Sequence, residues 1–209
     1  MTVSLHGYHF SVYRRIARLA LEEKSVEYET IEINPFIAPI PDAYLALHPF
    51  GRVPTLVHDG FTVYETSAIT RYVDEAFDGP SLQPNEPRVR ARMQQIVSVI
   101  DNYGYWPMVR QVFSHGFFRA RQGLPVDRDQ LEQGLLVSAR VLSALESLAT
   151  PYPFLLGNVL SLADLHLAPM MAYFVASPDG RTMLGHHPNL LAWWTKMSER
   201  PAVIATEPY

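Results

Sequence analysis

His48-Pro49-Phe50-Gly51-Arg52-Val53-Pro54-Thr55-Leu56, followed nine residues on by Glu65-Thr66-Ser67-Ala68-Ile69, is the stretch that decides how this 209-residue chain folds. A Val-Pro pair among strand formers conflicts with a regular ladder, because proline has no N–H to donate. A cis Val53-Pro54 bond resolves the conflict and turns the Val53 main chain outward. Its N–H and C=O are then expected to pair with an extended peptide-like ligand as an added strand would. Glu65 and Thr66 fall where the alternating run ending in Val63-Tyr64 gives way to helical spacing. A helix N-terminus holds unpaired N–H donors that attract a carboxylate, while Glu65 can receive an ammonium. The pair of motifs predicts a site for a small acidic peptide with both charges at one end.

Working outward, Val3 to Tyr8 reads as a strand and Val12 to Glu23 as a helix, with Ile16, Leu19, Ala20 and Glu23 at helical spacing. Val26 to Ile33 alternates, which predicts a parallel strand after a right-handed crossover. Asp42 to Leu47 predicts a short helix, and Thr55 to His58 with Phe61 to Tyr64 a hairpin across Asp59-Gly60. A helix from Glu65 to Phe77 closes this half. The polar, Pro-rich run from Asp78 to Pro87 predicts a linker, so the expected division is residues 1–78, a linker at 79–86 and a helical domain over 87–209. Helices are expected from Pro87 to about Ala120 with a kink or break at Pro107, and over Asp127 to Ala149, Leu162 to Ala176 and Pro188 to Glu199.

A net charge of -4 without a basic run argues against nucleic-acid binding, which rests on phosphate neutralisation. No apolar run reaches the roughly 18 residues of a membrane span, and the N-terminus lacks a basic region before a long apolar stretch. A soluble, cytoplasmic protein is expected. The chain has no cysteine, which excludes disulfides, thiolate metal sites and a cysteine nucleophile. His186-His187 lacks partners at metal spacing, and no metal site is expected.

Ser161 and Asp164 form a capping-box variant, so Asp164 is assigned a folding role. Ser11 stands where a helix N-cap is expected, with Tyr8 before it and Tyr13 inside the helix. Arg14 and Arg15 read as solvent contacts or salt bridges, and His9 as an exposed loop histidine able to contact a ligand or polarise water.

The proline segment resembles the Asn-Pro-x-Gly-x-Val-Pro-x-Leu motif of the glutathione transferase family, with His48 in place of Asn. The second motif resembles the family's Glu-Ser-x-Ala-Ile, with Thr66 in place of Ser. Gly157-Asn158-Val159-Leu160-Ser161-Leu162-Ala163-Asp164 is similar to its Gly-x-x-x-Ser-x-Ala-Asp. The resemblance implies a thioredoxin-like α/β N-terminal domain, an all-α C-terminal domain, glutathione as cofactor and a homodimer.

The resemblance further implies that glutathione is held by Val53, Pro54, Glu65 and Thr66, with Arg52 reaching its glycine carboxylate. Catalysis then requires a donor to the thiolate, since a free thiol titrates near ~8.5. Ser11 resembles the catalytic serine of theta-like and plant-type members, and Tyr8 is the rival, because other classes use a tyrosine at the end of this strand. Asp101 is a candidate for the ligand ammonium of a neighbouring subunit, with a solvated surface role as its alternative. Tyr103 and Trp106 stand out in an aromatic-rich segment suited to a hydrophobic electrophile. The expected function is conjugation of glutathione to such an electrophile, in keeping with detoxification. The alternatives are a specialised glutathione-dependent isomerase, dehalogenase, ether-cleaving enzyme or peroxidase, or a non-catalytic binding module.

Overall fold

The computed structural model describes residues 2–150 and 153–208. The chain divides into two compact units, Met1–Ser81 together with Pro201–Tyr209, and Leu82–Arg200. This corrects the expected division of 1–78, 79–86 and 87–209 at both ends.

The first unit runs β1 (Val3–Gly7), α1 (Val12–Glu23), β2 (Glu29–Glu32), α2 (Asp42–Leu45), β3 (Thr55–His58), β4 (Phe61–Tyr64) and α3 (Thr66–Ala76). The sheet order is β2-β1-β3-β4, with β1 parallel to β2 and antiparallel to β3, and β3 antiparallel to β4. Alternation in β1 buries Val3, Leu5 and Gly7. Leu5, Leu56, Ile16, Leu19, Ile69 and Val73 form the core where α1 and α3 pack on the sheet. Asp59 and Gly60 have φ of 46° and 85°, the left-handed pair that a two-residue hairpin consistent with the strand twist demands.

The second strand is shorter than the expected Val26 to Ile33. The Val26 N–H is already taken by the Leu21 carbonyl at 3.0 Å, in the turn that closes α1. That leaves Glu29–Glu32 to pair along the sheet edge.

Two corrections concern basic side chains. Arg14 and Arg15 are both buried rather than solvated, while Arg14 makes the alternative expected of it, a salt bridge to Glu32 at 3.4 Å. Arg15 donates to the Val203 carbonyl at 3.0 Å, and Arg18 to the Ala205 carbonyl at 3.1 Å. These guanidinium groups meet carbonyls at the end of the last helix, one of which, Val203, also accepts from the Thr206 hydroxyl at 3.1 Å, and this fixes the C-terminal segment in the first unit. Lys24 donates to the carbonyls of Asp74 and Pro80 at 3.0 and 3.2 Å and pairs with the Asp74 carboxylate at 3.3 Å. That bond to Pro80 is why residues assigned to a linker belong to the first unit.

The second unit contains α4 (Pro87–Val99), a wide-turned helical segment over Ile100–Phe118, α5 (Arg119–Arg121), α6 (Arg128–Leu148), α7 (Leu162–Ala176), α8 (Pro178–Leu184) and α9 (Pro188–Met197). The last helix, α10 (Pro201–Ala205), belongs to the first unit. The expected alternative of a break at Pro107 does not occur, because the chain stays helical past it in wide turns. An α-turn would drive the proline ring into the preceding carbonyl, and a wider turn gives it room.

Asp164 organises the core of this unit. Its carboxylate accepts from the Ser161 N–H and hydroxyl, the Leu155 N–H and Trp193 Nε1, at 2.8 to 2.9 Å. Burial pushes this carboxyl up while the four donors oppose the shift. All its lone pairs serve the fold, as expected from the capping spacing.

Candidate functional site

One end of the sheet gathers the residues singled out in the sequence. Gly7 at the end of β1 lies opposite Glu32 at the end of β2, and His6 lies opposite Thr55 at the start of β3. Thr55 in turn faces Tyr64 at the end of β4. The segment after Gly7, the Val53-Pro54 pair and Glu65-Thr66 therefore all leave the sheet at the same edge.

The Val53-Pro54 bond is cis, as is Ala38-Pro39. Neither the N–H nor the C=O of Val53 takes a backbone partner among the described residues. The loop is held from below by the buried Tyr44, whose hydroxyl bonds the Arg52 carbonyl at 2.5 Å and Thr55 Oγ1 at 3.1 Å. The Arg52 side chain is exposed and Pro54 is buried.

Glu65 is the N-cap of α3, with φ 68° and ψ 117°, a region costly for a residue with a side chain. Its side chain caps nothing, and the first helical bond runs from the Ile69 N–H to the Glu65 carbonyl at 2.9 Å. The Thr66, Ser67 and Ala68 N–H groups are thus left at the helix start, where the macrodipole favours an anion. Thr66 is buried and Glu65 exposed. His48 is buried and stacks on Tyr64 at 4.5 Å between ring centres. Burial pushes the His48 imidazole down while the Glu65 carboxylate pulls it up, so the two motifs also meet electrostatically.

Ser11 is the N-cap of α1, and its Oγ accepts from the Arg14 N–H at 3.3 Å. The bond uses an oxygen lone pair and leaves the hydroxyl proton for another acceptor. The Ser11 N–H donates to the Tyr8 carbonyl at 2.8 Å, which closes a tight turn with His9 and Phe10 at its centre. Burial, followed by the Glu32 charge, pushes the Tyr8 phenol up. Its acidity, the advantage of a tyrosine as proton donor, is thereby reduced. The Tyr8 ring packs edge-on against Phe10 and Phe36.

Glu32 and Arg14 are members of this cluster that the sequence reading left out. Glu32 Oε1 accepts from the His9 N–H at 3.0 Å and lies 2.9 Å from His9 Nδ1, while Oε2 lies 3.4 Å from Arg14 NH1. Only the β1–β2 register brings Glu32 beside the turn, and no spacing in the chain signals it.

In the second unit Tyr103 is 65% and Trp106 60% exposed. Phe113 from the same segment is core, stacked on Tyr173 at 4.4 Å. Asp101 is engaged inside its own unit, its Oδ1 lying 3.3 Å from Nδ1 of the fully buried His166. Of the two readings offered for Asp101, the structure corrects only the alternative of a solvated surface residue, since its side chain is 23% exposed and engaged with His166. Among the described residues no three His, Asp or Glu side chains come together as a metal site, and no helix is long and apolar enough to cross a membrane.

A thioredoxin-like sheet domain with an uncapped helix at its proline edge, followed by a helical domain, defines the glutathione transferase fold. Known proteins agree with it. The model of the glutathione S-transferase N-terminal domain matches residues 5–81, and that of the C-terminal domain residues 106–201. Glutathione S-transferase F9 of Arabidopsis thaliana is 32% identical over 97% of this chain and 94% of its own. Glutathione transferase F7 from Populus trichocarpa superposes with a TM-score of 0.82 at 25% identity, covering 98% of this chain and 97% of its own. A glutathione S-transferase-I bound with lactoylglutathione does so with a TM-score of 0.84 at 25% identity, covering 99% and 98%. The chain belongs to the glutathione S-transferase family, and its relatives are of the plant type.

Proposed function

We propose that this protein binds glutathione and adds its thiolate to a hydrophobic electrophile. The observation that carries the reading is the convergence at one sheet edge of three complementary groups. These are the unpartnered main chain of Val53, the open α3 N-terminus with Glu65 and Thr66, and the Ser11 hydroxyl.

In this reading the cysteinyl backbone of glutathione pairs with Val53 after the turn at Pro54. Its γ-glutamyl carboxylate takes the Thr66 N–H and hydroxyl, its ammonium meets Glu65, and its glycine carboxylate meets Arg52. Ser11 donates to the sulfur and stabilises the thiolate as it forms. Its free hydroxyl proton supports this role, and burial followed by the Glu32 charge lessens the advantage in acidity that Tyr8 holds as the rival donor. Tyr103 and Trp106 offer exposed aromatic surface for an apolar electrophile. The reading places the protein in the cytoplasm as a homodimer with a detoxifying role, and sedimentation tests the assembly.

The deciding experiment assays the protein with glutathione against chlorodinitrobenzene, hydroperoxides and an aryl thioether. Turnover of chlorodinitrobenzene is the expected result. Activity confined to peroxides or thioether cleavage replaces it with a specialised enzyme, and glutathione binding without turnover replaces it with a binding module.

A further inference from the structure

The turn between β1 and α1 carries a carboxylate–imidazole pair with the geometry of a proton carrier. His9 Nδ1 lies 2.9 Å from Glu32 Oε1, and the same oxygen receives the His9 main-chain N–H at 3.0 Å. Two contacts to one oxygen fix both the backbone and the ring of His9. A carboxylate on Nδ1 selects the tautomer with its proton there, which leaves Nε2 as a lone-pair acceptor. Nε2 has no partner among the described residues, and the His9 side chain is 50% exposed. The ring lies 3.9 Å from Phe10 and 4.9 Å from Tyr8 between centres, so aromatic neighbours also restrain it. Ser11 follows two residues later, across a turn closed by its own N–H. The charged and titratable groups around His9 are Glu32 from β2, Arg14 from α1 on the far oxygen of Glu32, and Tyr8 in the same turn.

We propose that His9 accepts the thiol proton of bound glutathione at Nε2, with Glu32 as the positioning residue that orients it. The inference rests on the glutathione reading above and adds the destination of the proton, which a hydrogen bond from Ser11 does not provide. The S–H bond breaks, its electron pair stays on sulfur, and the proton passes to Nε2. With chlorodinitrobenzene the sulfur pair forms the new S–C bond and chloride leaves with its own pair. The imidazolium then returns its proton to water. Glu32 stabilises that imidazolium while it exists, and Arg14 keeps Glu32 ionised to do so.

The test uses the full chain with glutathione and chlorodinitrobenzene across a pH series, comparing the wild type with His9→Ala, His9→Asn and Glu32→Gln. Both His9 variants are expected to lose about tenfold or more in kcat/KM for glutathione at neutral pH. The loss should shrink toward pH ~8.5 and above, where the thiol ionises unaided. Added imidazole should restore part of the His9→Ala rate, and glutathione affinity by calorimetry should hold. Glu32→Gln should show a smaller loss of the same pH form. A pH profile of both His9 variants that matches the wild type overturns the proposal, as does a pH-independent loss that imidazole does not rescue. A wild-type protein that neither binds nor turns over glutathione overturns the glutathione reading and this inference together.

Discussion

Thr55 on β3 stands directly opposite Tyr64 on β4, and this one pairing joins the two halves of the candidate site. The residue before Thr55 is the cis Pro54, and the residue after Tyr64 is Glu65 at φ 68°. A slip by one residue would reverse the facing of every side chain on the strand. The left-handed Asp59-Gly60 turn excludes that slip by fixing the loop length.

That juxtaposition makes charge matching at Glu65 the first quantity to measure. Glu65→Gln should weaken glutathione binding by about 1.5 to 3 kcal/mol, the range of a charge-assisted bond. Thr66→Val should cost less, because the helix N–H remains, and Thr66→Ser should be nearly neutral. Calorimetric titration checks the order. Unchanged affinity in Glu65→Gln with an intact fold would move the γ-glutamyl end elsewhere.

In the proposed reading Ser11 has two duties, cap and thiolate donor, that a single substitution confounds. Ser11→Ala should remove most turnover and leave glutathione affinity near the wild-type level, because its bond to sulfur strengthens with thiolate character. It should also lower stability by about 0.5 to 2 kcal/mol through the lost cap on α1. Tyr8→Phe should keep the thiolate absorbance of bound glutathione. Loss of that band in Tyr8→Phe and its survival in Ser11→Ala would reassign the donor.

The Lys24–Asp74 pair has side chains only 3% and 4% exposed, so its partners cannot fall back on water. Lys24→Met should destabilise the fold by about 3 to 5 kcal/mol, since it removes the positive charge paired with the buried Asp74 carboxylate. Replacing both residues by apolar ones should recover much of this. Urea unfolding of the single and double variants tests the coupling, and a Lys24→Met midpoint equal to the wild type would show that water reaches the pair.

Glu32 gives the acid side of the stability profile a defined sign. Burial pushes its carboxyl up, but the bonds from His9 and the charge of Arg14 outweigh burial and hold it below its ordinary 4.5. A depressed carboxyl contributes stability that is complete above its unfolded value and is lost as pH falls through the folded one. Glu32→Gln should therefore flatten the decline in urea midpoint below pH 4.5. An identical acid decline in both proteins would assign it to other carboxylates.

Much of the local structure in both units is written in short-range chemistry. The Asp59-Gly60 turn, the Ser11 cap, the Ser161–Asp164 box and the strand-to-helix junction at Glu65 each depend on residues a few positions apart. Spacing alone predicted them. Pro107 shows the limit of that logic, because a local rule expects a break and the chain widens its turn instead.

By itself the sequence determined the helix and strand periodicities, the absence of any cysteine chemistry and the two motifs that resemble a glutathione site. Tertiary structure decided which groups meet. The β1–β2 register carries Glu32 to His9, the C-terminal carbonyls reach Arg15 and Arg18, and Lys24 finds Asp74 fifty positions away. Turns and caps follow from backbone dihedrals and nearby side chains, so a short window of sequence specifies them. Pairings between distant residues depend on how whole elements bury their apolar faces, and those faces come together only when the chain closes on its core.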